Sequence, residues 1–151
     1  MNDRGFTLIE TVIYIALLSL LLSGTLLAAY GLLSGADRVN ANTTVADEGT
    51  FVLRKIEWAL SSIKSIDTPL AGTSTTLTVH KTGYARNPIT IRWNAARSSV
   101  EIAEGAGNAL SLTTGNVLVT KLEFKYLSPA GIAATAVIDG ATFITTKYIR
   151  K

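Results

Sequence analysis

From Phe6 to Leu33 the chain runs for 28 residues with a single charged side chain, Glu10. As a helix this stretch is about 42 Å long at 1.5 Å per residue, against a bilayer hydrocarbon core of about 30 Å. It can therefore span a membrane, with tilt or overhang. An acid costs about 2.5–3.5 kcal/mol at the centre of a spanning helix and less near an end. A chain that keeps one carboxylate in such a segment usually has a partner for it. Glu10 is accordingly the first candidate functional residue.

What precedes the run is short. Met1-Asn2-Asp3-Arg4-Gly5 lacks the length and order of an ordinary secretory signal, whose small residues follow the apolar region. Here the small residue comes first, so cleavage after Gly5 would keep the hydrophobic helix on the mature chain. Glycine suits that position, because a protease must approach the backbone closely. The hexapeptide Gly5-Phe6-Thr7-Leu8-Ile9-Glu10 resembles the cleavage and methylation site of type IV pilins and of type II secretion pseudopilins. The resemblance implies that Gly5 precedes the scissile bond and that Phe6 becomes the N-terminal, N-methylated residue. It also implies that Glu10 meets the N-terminal amine of a neighbouring subunit during filament assembly. The new Phe6 ammonium and Glu10 would lie one helical turn apart, so pairing within one chain is the simpler alternative. The helix N-terminus favours an anion in either case.

Small residues at Ser23-Gly24-Thr25, Gly31 and Ser34-Gly35 weaken the helix locally or allow close helix packing. Major pilins tend to carry a proline where this chain has Leu27, so any loss of helix there would rest on Gly24. Beyond Leu33 the character changes. Asp37 to Thr44 is polar, and from Val45 to Ile66 apolar residues recur at three- and four-residue steps, with Arg54, Lys55, Glu57, Ser61 and Lys64 between them. That pattern predicts an amphipathic continuation of the helix, ended by Pro69, with a bend near Gly35 or Gly49.

After Pro69 the period is two. Leu77/Val79, Ile89/Ile91/Trp93, Val100/Ile102 and Leu122/Phe124/Tyr126 alternate with polar residues, and Gly, Pro and Asn pairs separate them. Asp139-Gly140 is the strongest hairpin signal. The expectation is α+β: one long N-terminal helix packed on six or seven antiparallel strands of a C-terminal sheet, the pilin-like layout. In segments, that is a leader at 1–5, a membrane or filament-core helix at 6–35, an amphipathic continuation at 36–68 and a β domain at 69–151. The segments Leu112 to Val117, Val119 to Tyr126 and Phe143 to Arg150 look like the tail of W-type minor pilins and of J-type pseudopilins.

Composition narrows the chemistry. The absence of cysteine excludes a disulfide and a thiolate metal site. The net charge of +3 is scattered, a weak long-range pull on nucleic acid. The basic, aromatic C-terminus of Lys147, Tyr148, Arg150 and Lys151 reads as an edge strand rather than a DNA-binding footprint. His80, the one histidine, falls on the polar parity of a strand with no HExxH or GxSxG pattern around it. The acids Asp67, Glu101, Glu104, Glu123 and Asp139 form no calcium-like cluster. No catalytic residue, metal or cofactor is expected.

The resemblance implies a structural role: a subunit, a minor one by its tail, of a type IV pilus or of a secretion or competence pseudopilus. It would sit in the inner membrane with its N-terminus cytoplasmic. Its partners would be prepilin peptidase, the inner-membrane assembly platform, the lipid bilayer and other pilin subunits. Two rivals are a signal-anchored extracytoplasmic binding protein that is never cleaved at Gly5, and an anchored hydrolase, for which the chain shows no constellation.

Overall fold

The computed structural model describes residues 7–149. Its contacts divide the chain into two units, 1–42 and 43–151, and helix α1, Leu8–Ala59, contributes to both. In the first unit α1 is apolar on all sides as far as Leu33, and its large apolar side chains are exposed, Leu8 at 86% and Ile9 at 70%. The helix continues through Gly24, Gly31 and Gly35. Polar side chains in this stretch turn back onto the backbone: Ser19 donates to the Ile15 carbonyl, Ser23 to Ser19 and Thr25 to Leu22, at 2.7, 2.7 and 2.9 Å. Such internal bonds let hydroxyls sit in hydrocarbon at little cost.

The second unit is α+β, as expected, but its strands form two sheets rather than one. The strands are β1 (Ile63–Thr68), β2 (Thr73–Ser74), β3 (Thr76–Lys81), β4 (Ile89–Asn94), β5 (Ser99–Glu104), β6 (Leu110–Ser111), β7 (Val119–Leu127), β8 (Gly131–Ile138) and β9 (Ala141–Tyr148). One sheet has the order β1-β3-β4-β5-β6 and the other β2-β7-β8-β9, with antiparallel pairing throughout. The period-two residues are the reason. Leu77, Val79, Ile89 and Ile91 of the first sheet and Leu122, Phe124, Ile132 and Ala134 of the second bury their apolar faces in one core with Val52, Ile56 and Ala59 of α1. The sheets are stitched where Trp93 donates its indole N–H to the Val119 carbonyl at 3.1 Å and Val119 N donates to Ser98 at 2.8 Å. Asp139 and Gly140 form the β8–β9 turn with φ of 46° and 80°. A two-residue turn of this hand needs positive φ at both positions.

The helix is shorter than its periodicity predicts. It ends at Ala59, not near Pro69, and residues 63–68 form β1. Ser62 adopts φ 52°, which turns the chain out of the helix. The misleading spacing has a physical origin. Register shifts between Ile63 and Ser65 and between Ile66 and Thr68 interrupt the β1–β3 ladder. A bulge adds a residue to the period of two, so Ile63 and Ile66 fall on one face at a helix-like step of three.

A buried lysine closes the helix. Lys81, on the inward parity of β3 after Leu77 and Val79, donates Nζ to the Trp58 carbonyl and to Ser61 Oγ, the latter at 2.7 Å. Its ammonium also lies 4.7 Å from the Trp58 ring centre. The last turn of α1 has no basic residue of its own, so β3 supplies the cation that the helix C-terminus favours. Burial pulls the Lys81 pKa below its ordinary value.

Candidate assembly site at the N-terminal helix

Thr7 precedes the first residue of α1, and the Glu10 backbone N–H points to its hydroxyl oxygen at 3.4 Å. The Thr11 N–H donates to the Thr7 carbonyl at 3.2 Å. Thr7-Leu8-Ile9-Glu10 thus has the spacing of a capping box, threonine at the cap and an acid three residues on. The acid does not complete the box here. Glu10 Oε1 instead accepts a hydrogen bond from the Tyr14 hydroxyl, one turn along, at 3.3 Å. Glu10 is half-buried among exposed neighbours and lies in the first turn, where the helix macrodipole favours a negative charge.

Glu10 is therefore held at one end of a lipid-length apolar helix by a neutral donor. Among the described residues no cation reaches it. A carboxylate so placed, with only a long phenol bond, retains lone pairs for an incoming ammonium. Gly5 and Phe6, the predicted cleavage pair, lie outside the described residues. Thr7 and Tyr14 were not singled out as partners in the sequence, although the threonine-to-glutamate spacing and the i, i+4 step to Tyr14 were both there to find.

Residues 1–26 match the prokaryotic N-terminal methylation motif. The chain carries a methylation motif. The match covers Gly5, Phe6 and Glu10 together with most of the apolar run, and it supports the type IV pilin-like reading of this end of the chain. Helix α1 is long and apolar enough to cross a membrane, consistent with a single-pass anchor. No curated protein and no solved structure matched the chain.

Away from the motif, the candidate side chains are scattered and each has local work. His80 Nε2 lies 3.0 Å from Asp67 Oδ2 on the neighbouring strand, with both side chains partly exposed. Among the described residues no three metal-ligating side chains come together. Glu101 is gripped by Arg92 and Asn94. Glu104 accepts from the Tyr84 hydroxyl at 2.7 Å, a bond that pushes the phenol pKa up. Glu123 pairs with Lys121 at 3.2 Å, and Asp139 accepts from the Leu118 N–H. Lys147 and Tyr148 sit on β9, the last strand of its sheet. Arg150 and Lys151 lie outside the described residues.

Proposed function

We propose that the chain is a structural subunit, a minor one, of a type IV pilus or of a type II secretion or competence pseudopilus. The observation that carries this reading is the methylation motif at 1–26, in which Glu10, the one acid of the apolar run, sits on an exposed apolar helix with no cation beside it among the described residues. Prepilin peptidase would cut after Gly5, and methylation would follow on Phe6. The mature protein would wait in the inner membrane with its N-terminus cytoplasmic and the β unit outside. Assembly then exchanges lipid contacts for helix–helix contacts. In that exchange the Glu10 carboxylate accepts the N-terminal ammonium of a neighbouring subunit, which fixes the axial step between them. The tail similarity to W-type minor pilins and J-type pseudopilins supports a minor rather than a bulk subunit. No catalysis and no cofactor are part of this role.

The test separates processing from assembly. Glu10→Ala should yield a membrane-inserted, cleaved protein that enters filaments poorly. Gly5→Leu should leave a precursor heavier by the five leader residues, visible as intact mass. Normal incorporation of Glu10→Ala would remove the role assigned to the carboxylate. A native polypeptide still starting at Met1 in cells with active peptidase would remove the whole reading.

A further inference from the structure

The two sheets have four edges, and three of them are guarded. Strands β2 and β6 are two residues long. Strand β1 is interrupted by two register shifts and carries the charges of Lys64 and Asp67. Short strands, bulges and charges are the usual means of preventing a sheet edge from pairing with another chain. Strand β9 has none of these but one lysine. It runs eight residues, Ala141–Tyr148, in unbroken register with β8 and without proline.

Its outward hydrogen-bonding groups can be identified. The Ile149 N–H donates to the Ala130 carbonyl at 2.9 Å, which makes that opposed pair a hydrogen-bonded one. Antiparallel ladders alternate, so Lys147, Thr145, Phe143 and Ala141 also bond to β8. The N–H and C=O groups of Thr142, Ile144, Thr146 and Tyr148 therefore point away from the sheet. All four residues are exposed, Ile144 at 63% and Tyr148 at 59%. Among the described residues no hydrogen bond outside the ladder reaches them.

We propose that β9 receives an extended segment of a different chain, which adds an antiparallel strand to the β2-β7-β8-β9 sheet. Main-chain bonds would supply the affinity and alternate side chains the choice of partner. The chemistry of the partner follows from the one charge on this edge. Lys147 has no ion-pair partner among the described residues, and the sequence beyond it adds Arg150 and Lys151. A carboxylate near the N-terminal end of the incoming strand would lie opposite Lys147, while β-branched residues elsewhere suit the edge.

A second copy fits less well. Strand β9 contains no acid, so a second β9 paired on this edge would bring no carboxylate opposite Lys147 in any register. It would instead bring a second lysine to the same edge. Neither this choice of a different chain nor the openness of the edge rests on the filament reading above.

The test uses the full chain in detergent micelles and a synthetic eight-residue peptide as the probe. The peptide carries threonine at odd positions, glutamate at the second and valine at the other even ones. Amide hydrogen exchange at Thr142, Ile144, Thr146 and Tyr148 should slow by about tenfold or more at saturating peptide. A peptide with lysine in place of glutamate should bind about threefold to tenfold more weakly. One N-methylated at its odd positions should not protect these amides at all. Ile144→Pro removes an outward N–H and no ladder bond, so the variant should melt like the parent and lose the protection; Thr146→Pro is the second variant. Absence of protection with the first peptide, or equal protection with the N-methylated one, overturns the proposal. Equal binding of the lysine peptide overturns its acidic-partner clause. Protection that rises with protein concentration without peptide makes the occupant a second copy and overturns the choice of a different chain. Cleavage at Gly5 plays no part in any arm, so a failure here is distinguishable from a failure of the filament reading.

Discussion

Glu101 is almost fully buried, at 7% side-chain exposure, yet hydrogen-bond donors from one arginine and one asparagine hold it closely enough to keep it charged. Arg92 Nε and Nη2 donate to one oxygen at 3.0 and 2.8 Å, and Asn94 Nδ2 donates to the other at 2.6 Å. Those bonds, Asn94 first and then Arg92, hold its carboxyl below the ordinary value of 4.5 against the opposing effect of burial. An unfolded chain thus binds this proton more readily than the folded one. The stabilisation is complete above about pH 4.5 and is lost as the pH falls through the folded-state pKa. Glu101→Gln should cost about 2 kcal/mol at neutral pH, because the arginine loses a charged acceptor. Urea unfolding at pH 7 and at pH 3.5 checks this: the gap between parent and variant should narrow in acid, and a constant gap would contradict it. In the sequence Glu101 is simply the polar residue between Val100 and Ile102. Nothing local shows that cross-strand register places it opposite Arg92. The same holds for Lys81, whose inward parity was visible but whose acceptor, the Trp58 carbonyl, comes from a different element.

Elements were legible where one period ran without interruption. The alternations of Leu77/Val79, Ile89/Ile91/Trp93, Val100/Ile102 and Leu122/Phe124/Tyr126 became β3, β4, β5 and β7, and the Asp139-Gly140 signal became the β8–β9 turn. Legibility failed at β1, where a bulge imitated helical spacing, and in the division of the strands between two sheets, which depends on partners distant in sequence. The sequence offers Gly35 or Gly49 for a bend, yet Gly49 serves close contact: a Cβ built there would stand 2.3 Å from the Phe143 ring. Glycine in a helix interior costs about 1 kcal/mol relative to alanine. Gly49→Ala should therefore stabilise an isolated helix, but in the folded unit it must push Phe143 off the helix face. The net expectation is a loss of about 1–2 kcal/mol in thermal or urea unfolding. Adding Phe143→Leu should recover part of it, since a smaller side chain leaves space for the methyl group. A Gly49→Ala variant more stable than the parent would show that the ring yields without cost.

At the scale of the molecule, the motif and the core occupy different parts of the chain. The methylation motif ends at residue 26, whereas the buried apolar core begins at Val52 and its partly buried fringe at Val45. The division of contacts between residues 42 and 43 separates them. On the proposed filament reading, this arrangement has a consequence for assembly. A span that leaves lipid for a filament changes its whole environment, and a β unit whose core owes nothing to that span can remain folded throughout. The fold of the second unit should then survive removal of the first. A chain beginning at Thr43 should be soluble without detergent and unfold in one cooperative transition. Its midpoint should lie within about 5 °C of that of the β unit in the full chain. Its amide exchange should leave β3, β4, β7 and β8 as the slowest strands, because each carries at least two fully buried side chains. If the shortened chain aggregates or melts far below the parent, residues 8–42 contribute to the core after all. The proposed exchange of lipid for helix contacts would then have to be coupled to the β unit rather than confined to the span.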